Sequence, residues 1–361
     1  MLTLLSKLYG SLTKFRRKLF KPYYKAQVPT ICIGNLQVGG TGKTPIVLDL
    51  AKFLLEKGLR PFVVLRGYKG KAIGPVLVDK LDSEYFGDEA LIYFRHGIDT
   101  IVSKNRLAGI DYALNLGAHL IILDDGFQDL RIDYDKKILC FRPFLSKRDY
   151  TPFPFGILRE DLENSSLADY ILITKYNLYK KDIIDKTLKI LEKYNKNIFL
   201  VPIKLKNITD FYGEKINLES LKNKEIYLIS GLGNNLSFKN FIEKELKLRV
   251  KKHIKFPDHY KYKIKDIEKL NNILKEDKRI AFLTTEKDFV KIFDLIKNKD
   301  LKLKENIFIV RTYLRIPNKI KEDILNYMKN LERIKKENLN LETVLEVENE
   351  SYRNCRTYER R

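Results

Sequence analysis

Three observations predict an α/β protein made of two α/β/α sandwich domains with mainly parallel sheets. Strand-like apolar runs alternate with helix-period segments along most of the chain. A glycine-rich turn leads the first of these runs into a helix. A segment with prolines at 143, 152 and 154, covering 142–156, divides the alternation in two. The 361 residues are long enough to bury two separate cores.

The first element is expected to be an amphipathic amino-terminal helix. Leu2, Leu5, Leu8, Leu12, Phe15 and Leu19 recur at steps of three or four, and Lys7, Lys14, Arg16, Arg17, Lys18 and Lys21 fill the rest of its surface. That pattern suits the plane of an anionic bilayer interface. A helix packed on its own domain is the alternative. Charges interrupt the apolar run, and no small-residue cleavage site follows, which argues against a secretory signal. The composition also resembles an organellar transit peptide, but the segment leads almost directly into the first strand.

Strands are then expected at "TICIG", "PFVVLR", "TIVS", "LIILDD" and "ILCF", with helices at Lys43–Lys57, Asp88–Arg95 and Arg106–Leu116. Past the prolines, strands are expected at "YILIT", "IFLVPI", "IYLIS", "IAFLTT" and "IFIVRTY". The helices between them fall near 180–194, 236–246, 265–276 and 288–297. The expected organisation is an interface helix over 1–28, a nucleotide-binding domain over 29–150, a second α/β domain over 151–330 and a charged tail over 331–361.

Composition narrows the partners. The chain is 44% hydrophobic and 32% charged, with no long uncharged apolar run, so a transmembrane helix is not expected. Cys32, Cys140 and Cys355 lie far apart, which fits neither a disulfide framework nor a cysteine zinc site. The net charge of +22 favours an anionic partner, although enrichment in Lys, Ile, Asn and Tyr also reflects genomic base composition. No acidic residue precedes Asp49, so the cationic character is concentrated at the amino terminus.

"ICIGNLQVGGTGKTPIV" places Gly39, Gly40, Thr41, Gly42, Lys43 and Thr44 between an apolar strand and a helix, the context of a phosphate loop. Loop N–H groups and the positive end of the helix dipole attract phosphate. Lys43 is expected on the β/γ oxygens of ATP and Thr44 on Mg²⁺. Gln37 occupies the position of the first glycine in the strict pattern. "LIILDDGFQ" ends a buried strand in Asp124 and Asp125, carboxylates suited to orienting Mg²⁺ or its waters.

The order of "VPTICIGNLQVGGTGKTP", "RGYKGK", "FGDEA", "LDDGFQ", "FGILRE", "FPDHY" and "TTEKD" resembles the tetraacyldisaccharide 4′-kinase family of lipid A biosynthesis. The resemblance runs from the amino-terminal arm to about Asp288. It implies two α/β domains with a cleft between them. The implied reaction passes the γ-phosphate of ATP, with Mg²⁺, to the 4′-hydroxyl of a tetraacylated glucosamine disaccharide 1-phosphate. It also implies a peripheral location on the cytoplasmic face of the bacterial inner membrane, with neither nucleic acid nor a protein partner inferred.

Residue by residue, the resemblance makes Asp88 the catalytic aspartate, supported by His259, with Asp125 also catalytic. Thr44, Asp124, Asp125, Gln128 and Glu160 are assigned to the metal, and Arg66, Arg106, Arg159 and Glu89 to substrate. A sugar hydroxyl is a weak nucleophile, so a base beside it aids attack on phosphorus. From residue chemistry alone, Asp88 reads as a helix cap and His259 as a structural histidine. Leu65 and Lys69 stand where the family usually has serine and glycine. Asp129 replaces the usual histidine, an expected extra negative charge near the phosphates. The rival functions are a membrane-associated partitioning-type switch ATPase and a nucleic-acid-stimulated NTPase. The first needs a lysine where this chain has Val38, and the second lacks a recognisable binding module.

Overall fold

The computed structural model describes residues 2–231, 235–257, 260–277 and 279–331. After helix α1 (Leu2–Leu19), the first half reads β1 (Thr30–Gly34), α2 (Lys43–Glu56), β2 (Pro61–Leu65), β3 (Val76–Leu77), α3 (Ser83–Phe86) and α4 (Asp88–Phe94). It continues through β4 (Asp99–Val102), α5 (Arg106–Asn115), β5 (Leu120–Asp124) and β6 (Lys136–Phe141). Next come β7 (Tyr170–Thr174), α6 (Lys181–Leu191), β8 (Ile198–Val201), β9 (Lys204–Thr209) and α7 (Glu219–Lys222). The remaining elements are β10 (Glu225–Ser230), α8 (Asn235–Lys244), β11 (Val250–Lys255), α9 (Ile264–Glu276), β12 (Ile280–Thr285), α10 (Glu286–Ile296), α11 (Leu303–Asn306) and β13 (Ile307–Tyr313).

The strands form two sheets, ordered β3-β4-β2-β5-β1-β6-β7-β8 and β11-β10-β12-β13-β9. Every pairing is parallel except β3 with β4 and β13 with β9. Residues of β1, β2, β5 and β7 are buried throughout, because helices cover both faces of a parallel sheet. This is the predicted α/β class with a P-loop-type first sheet. Both sheets lie in one compact unit, Met1–Ile316. A second unit begins at Pro317, where 318–331 is helical.

Two expectations change. The boundary placed at residue 150 falls inside the first sheet, since β7 and β8 extend it in parallel from β6. The proline-rich stretch is an excursion between two strands of that sheet. It is stapled to the phosphate loop by Val38 N–H to Ile157 C=O at 2.8 Å and Arg159 N–H to Leu36 C=O at 2.7 Å. The edge strands β9 and β11 carry alternating polar residues, "KLKNIT" and "VKKHIK", and show no apolar run to a sequence reader. The tail expected over 331–361 lies, from 332 onward, outside the described residues.

Helix α1 presents its faces in an unusual way. Ser6 and Gly10 are buried and Thr13 and Arg17 half-buried, so the small and polar stripe faces the protein. Leu4, Leu5, Leu8, Leu12, Phe15 and Leu19 are exposed, Leu4 by 72% and Leu19 by 68%. No described helix is long and apolar enough to cross a membrane.

Candidate active site

β1 delivers the chain into the phosphate loop, and α2 leaves it at Lys43. Gly39 and Gly42 have φ of 99° and 82°, which only glycine adopts without strain. Asn35 Nδ2 donates to Gln37 C=O at 2.6 Å and to Thr41 Oγ1 at 3.0 Å, and Thr174 Oγ1 donates to Thr41 C=O at 2.6 Å. Gln37 is fully buried. Its Oε1 accepts the Arg142 N–H at 2.9 Å, and its Nε2 donates to Asp149 C=O at 3.1 Å. The residue that breaks the strict glycine pattern therefore pins the loop to the 142–158 excursion.

β5 brings the two aspartates beside this loop, and they differ in environment. Asp125 has a left-handed backbone, φ 57°, and stands 3.5 Å from Lys43 Nζ. Arg159 Nη1 donates to both of its carboxylate oxygens at 2.8 Å, and Arg106 Nη2 donates to its backbone carbonyl at 2.6 Å. Burial alone would raise the Asp125 carboxyl, but Lys43, Arg159 and Arg106 outweigh it and hold it below the usual value.

Asp124 is 3% exposed. Its Oδ2 accepts Tyr93 O–H at 2.7 Å, while Oδ1 has no hydrogen-bond partner among the described residues. Burial, then the charge of Glu89, pushes its pKa up to about 7. Tyr93 is itself fully buried and also interacts with Thr44. An orphaned, buried carboxylate oxygen in the field of Glu89 and Lys43 suits a hard divalent cation. Magnesium needs only one or two carboxylates when phosphate oxygens and water complete its shell. No group of three His, Cys, Asp or Glu among the described residues is arranged to hold a metal by itself.

The "GDE" segment forms the start of α4. Gly87 has φ 87°, and a Cβ there would meet Tyr68 C=O at 2.9 Å, so "RGYKG" packs directly against "FGDEA". This turn sets Asp88 and Glu89 in the first turn of α4. Asp88 forms an ion pair with Lys291 of α10 at 2.9 Å, with the side chains 24% and 14% exposed. Lys291 also donates to Tyr260 C=O at 3.4 Å. The second sheet thus supplies a cation to the aspartate of the first. His259, the expected support of Asp88, lies outside the described residues.

Several assignments move. Glu160 is engaged by protein groups: Arg17 pairs with it through Nε and Nη2, and Asn164 Nδ2 donates to it at 2.9 Å. Gln128 is also engaged, donating to Asn35 C=O at 3.0 Å and accepting from Arg159 at 3.4 Å. Arg106 is 7% exposed, and its hydrogen bond to the Asp125 carbonyl props up that turn. Arg159 clamps Asp125, and the charge of Glu89 acts on Asp124. Of the four substrate residues, Arg66 alone is exposed, at the end of β2. Arg131 Nε and Nη2 each hold the Asp129 carboxylate at 2.8 Å, and Arg106 lies 3.7 Å away. Its charge is met within the protein by these two arginines.

Sequence reasoning passed over Tyr93 and Lys291. Tyr93 sits four residues after Glu89, on the same helical face, and Lys291 sits one turn after Asp288 of "TTEKD". Those spacings are legible, but their partners on β5 and α4 are not.

A phosphate loop on a parallel sheet, with an aspartate pair at the end of the neighbouring strand, one of the two buried, and an aspartate joined to a second sheet, defines an ATP-dependent phosphotransferase of the P-loop class. The chain belongs to the tetraacyldisaccharide-1-P 4′-kinase family, whose sequence profile matches residues 1–329. Tetraacyldisaccharide 4′-kinases of Aquifex aeolicus and Flavobacterium johnsoniae are similar to it. The first is 33% identical over 303 residues, 80% of this chain and 88% of the relative. The second is 31% identical over 342 residues, 90% and 96%. A crystal structure of LpxK from Aquifex aeolicus in complex with ATP superimposes with a TM-score of 0.64 at 28% identity, covering 89% of this chain and 96% of that one. These matches favour the lipid A kinase over the switch ATPase.

Proposed function

We propose that this chain passes the γ-phosphate of ATP to the 4′-hydroxyl of a tetraacylated glucosamine disaccharide 1-phosphate, with Mg²⁺, at the cytoplasmic face of the bacterial inner membrane. The observation that carries the site assignment is Asp124, buried with one unpartnered oxygen among the described residues and subject to the charges of Glu89 and Lys43. Loop N–H groups at the start of α2 and the Lys43 ammonium hold the phosphates. Asp125 steadies Lys43 from one side, and Arg159 steadies Asp125. Asp124, Thr44 and Glu89 would hold Mg²⁺, which when bound neutralises charge on the phosphate oxygens. Asp88 takes the proton of the attacking hydroxyl, and Lys291 orients its carboxylate. Arg66, exposed after β2, would meet the sugar phosphate.

The reversed amphipathicity of α1 supports peripheral attachment. A helix packed on its own domain buries its apolar stripe, whereas this one buries Ser6 and Gly10 and leaves the leucines out. The decisive experiment incubates the protein with labelled ATP, Mg²⁺ and the disaccharide 1-phosphate and looks for a bisphosphorylated lipid. Its absence overturns the reading. Replacement of Leu8, Leu12 and Phe15 by serine is expected to abolish cosedimentation with anionic vesicles. Unchanged cosedimentation would remove the membrane assignment.

A further inference from the structure

The polar face of α1 grips the segment that borders the phosphate loop. Ser6 Oγ accepts the Phe155 N–H at 2.8 Å, Tyr9 O–H donates to Arg159 C=O at 2.9 Å, and Thr13 Oγ1 accepts the Asp161 N–H at 3.3 Å. Arg17 goes furthest in. Its guanidinium pairs with Glu160, donates to Phe127 C=O at 2.7 Å and lies 4.3 Å over the Phe127 ring.

Arg17 and Glu160 are only 12% and 7% exposed, so their geometry is fixed by surrounding protein. One cation therefore ties together two segments of the site: the turn after β5 that carries Asp125, and the Arg159-Glu160 segment. Arg159, held at its carbonyl by Tyr9 and at the next residue by Arg17, clamps Asp125, which in turn faces Lys43.

We propose that Arg17 is a positioning residue of the phosphate site: by holding Glu160 and the Phe127 carbonyl together, it locks the Arg159–Asp125 clamp beside Lys43. Seating of the interfacial helix is then felt at the nucleotide. Coupling of this kind travels through packed, hydrogen-bonded groups, and here each link is a contact between named groups. The inference rests on the reading of Lys43 and Asp125 as the phosphate site. The neighbouring Lys14–Glu163 pair, 45% and 48% exposed, ties the same helix down without reaching that site and serves as the control.

The test uses the full chain with substrate in mixed micelles. It measures kcat, KM for ATP, the Kd of a fluorescent ATP analogue, and cosedimentation with phosphatidylglycerol vesicles. Arg17→Ala is expected to lower kcat/KM for ATP about tenfold or more, with vesicle binding unchanged. Arg17→Lys should recover part of the loss, and Lys14→Ala should match wild type. Wild-type kinetics for Arg17→Ala overturn the proposal, as does a loss that only tracks release from vesicles. If Arg17→Ala does not fold, Glu160→Gln keeps the shape and removes the charge. An intermediate loss is expected there, and wild-type ATP kinetics overturn the proposal. Lys43→Ala separates the two readings: normal ATP binding in that variant refutes the phosphate site itself, whereas a defect there combined with a normal Arg17→Ala refutes only the role of Arg17.

Discussion

Tyr93→Phe deletes a single oxygen and probes the chemistry of Asp124. Tyr93 O–H donates to Asp124 Oδ2 at 2.7 Å in a fully buried pair, and Oδ1 has no other partner among the described residues. A hydrogen bond to an ionised group contributes about 1.5–3 kcal/mol. At about 1.4 kcal/mol per pKa unit, its loss raises the Asp124 carboxyl by about one to two units from the value near 7. Half of the wild-type carboxyl is then ionised at pH 7, against about a tenth to a hundredth in the variant. Metal binding competes with the proton, so the Mg²⁺ requirement at pH 7 should rise about 5- to 50-fold and converge on wild type above about pH 9. Initial rates over an Mg²⁺ titration at pH 6–9 read this. Mn²⁺ binding by electron paramagnetic resonance reads it without turnover. An equal metal requirement at pH 7 in a folded variant refutes the assignment of Asp124. A gap that persists undiminished at pH 9 shows that geometry, and not the proton, was lost.

Three further outcomes are expected. Lys291→Ala removes one ion pair from the half-buried Asp88, and kcat should fall about 10- to 100-fold while Lys291→Arg restores most of it. Wild-type turnover would detach Asp88 from the second sheet. Gly42→Ala forces φ 82° on an L-residue and brings its Cβ to 2.8 Å from Leu314 Cδ1 and 3.3 Å from Thr174 Oγ1. It should lower stability by about 1–2 kcal/mol and raise KM for ATP, checked by thermal melting and steady-state kinetics. Finally, burial, followed by the charges of Lys255 and Lys239, lowers the His253 imidazole from 6.5 to about 4, with its Nε2 2.8 Å from Ser230 Oγ. A depressed folded pKa gives stability that is present above the unfolded value and lost as pH falls through about 4. Melting temperatures between pH 8 and pH 4 should show that loss, and His253→Gln should flatten it.

Much of the fold was legible because its signals are local. A parallel strand covered on both faces must be apolar throughout, so β1, β2, β5 and β7 stand out in the chain. The phosphate loop was legible for the same reason: glycines, Lys43 and Thr44 act within a single turn between strand and helix. Edge strands β9 and β11 were hidden because their exposed sides tolerate lysine and asparagine.

By itself the sequence determined the α/β class, the nucleotide loop, the aspartate pair and, through the order of its motifs, the kinase family. Tertiary structure decided which charges meet. Glu160 and Asp129 look like site acids in the chain, yet Arg17 and Arg131 neutralise them, while Tyr93 and Lys291, silent in the sequence, reach Asp124 and Asp88. The physical reason is that a carboxylate's role is set by its burial and by the cation or donor nearest to it. Those neighbours come from elements as far apart in the chain as α1 and α10, and only folding brings them together.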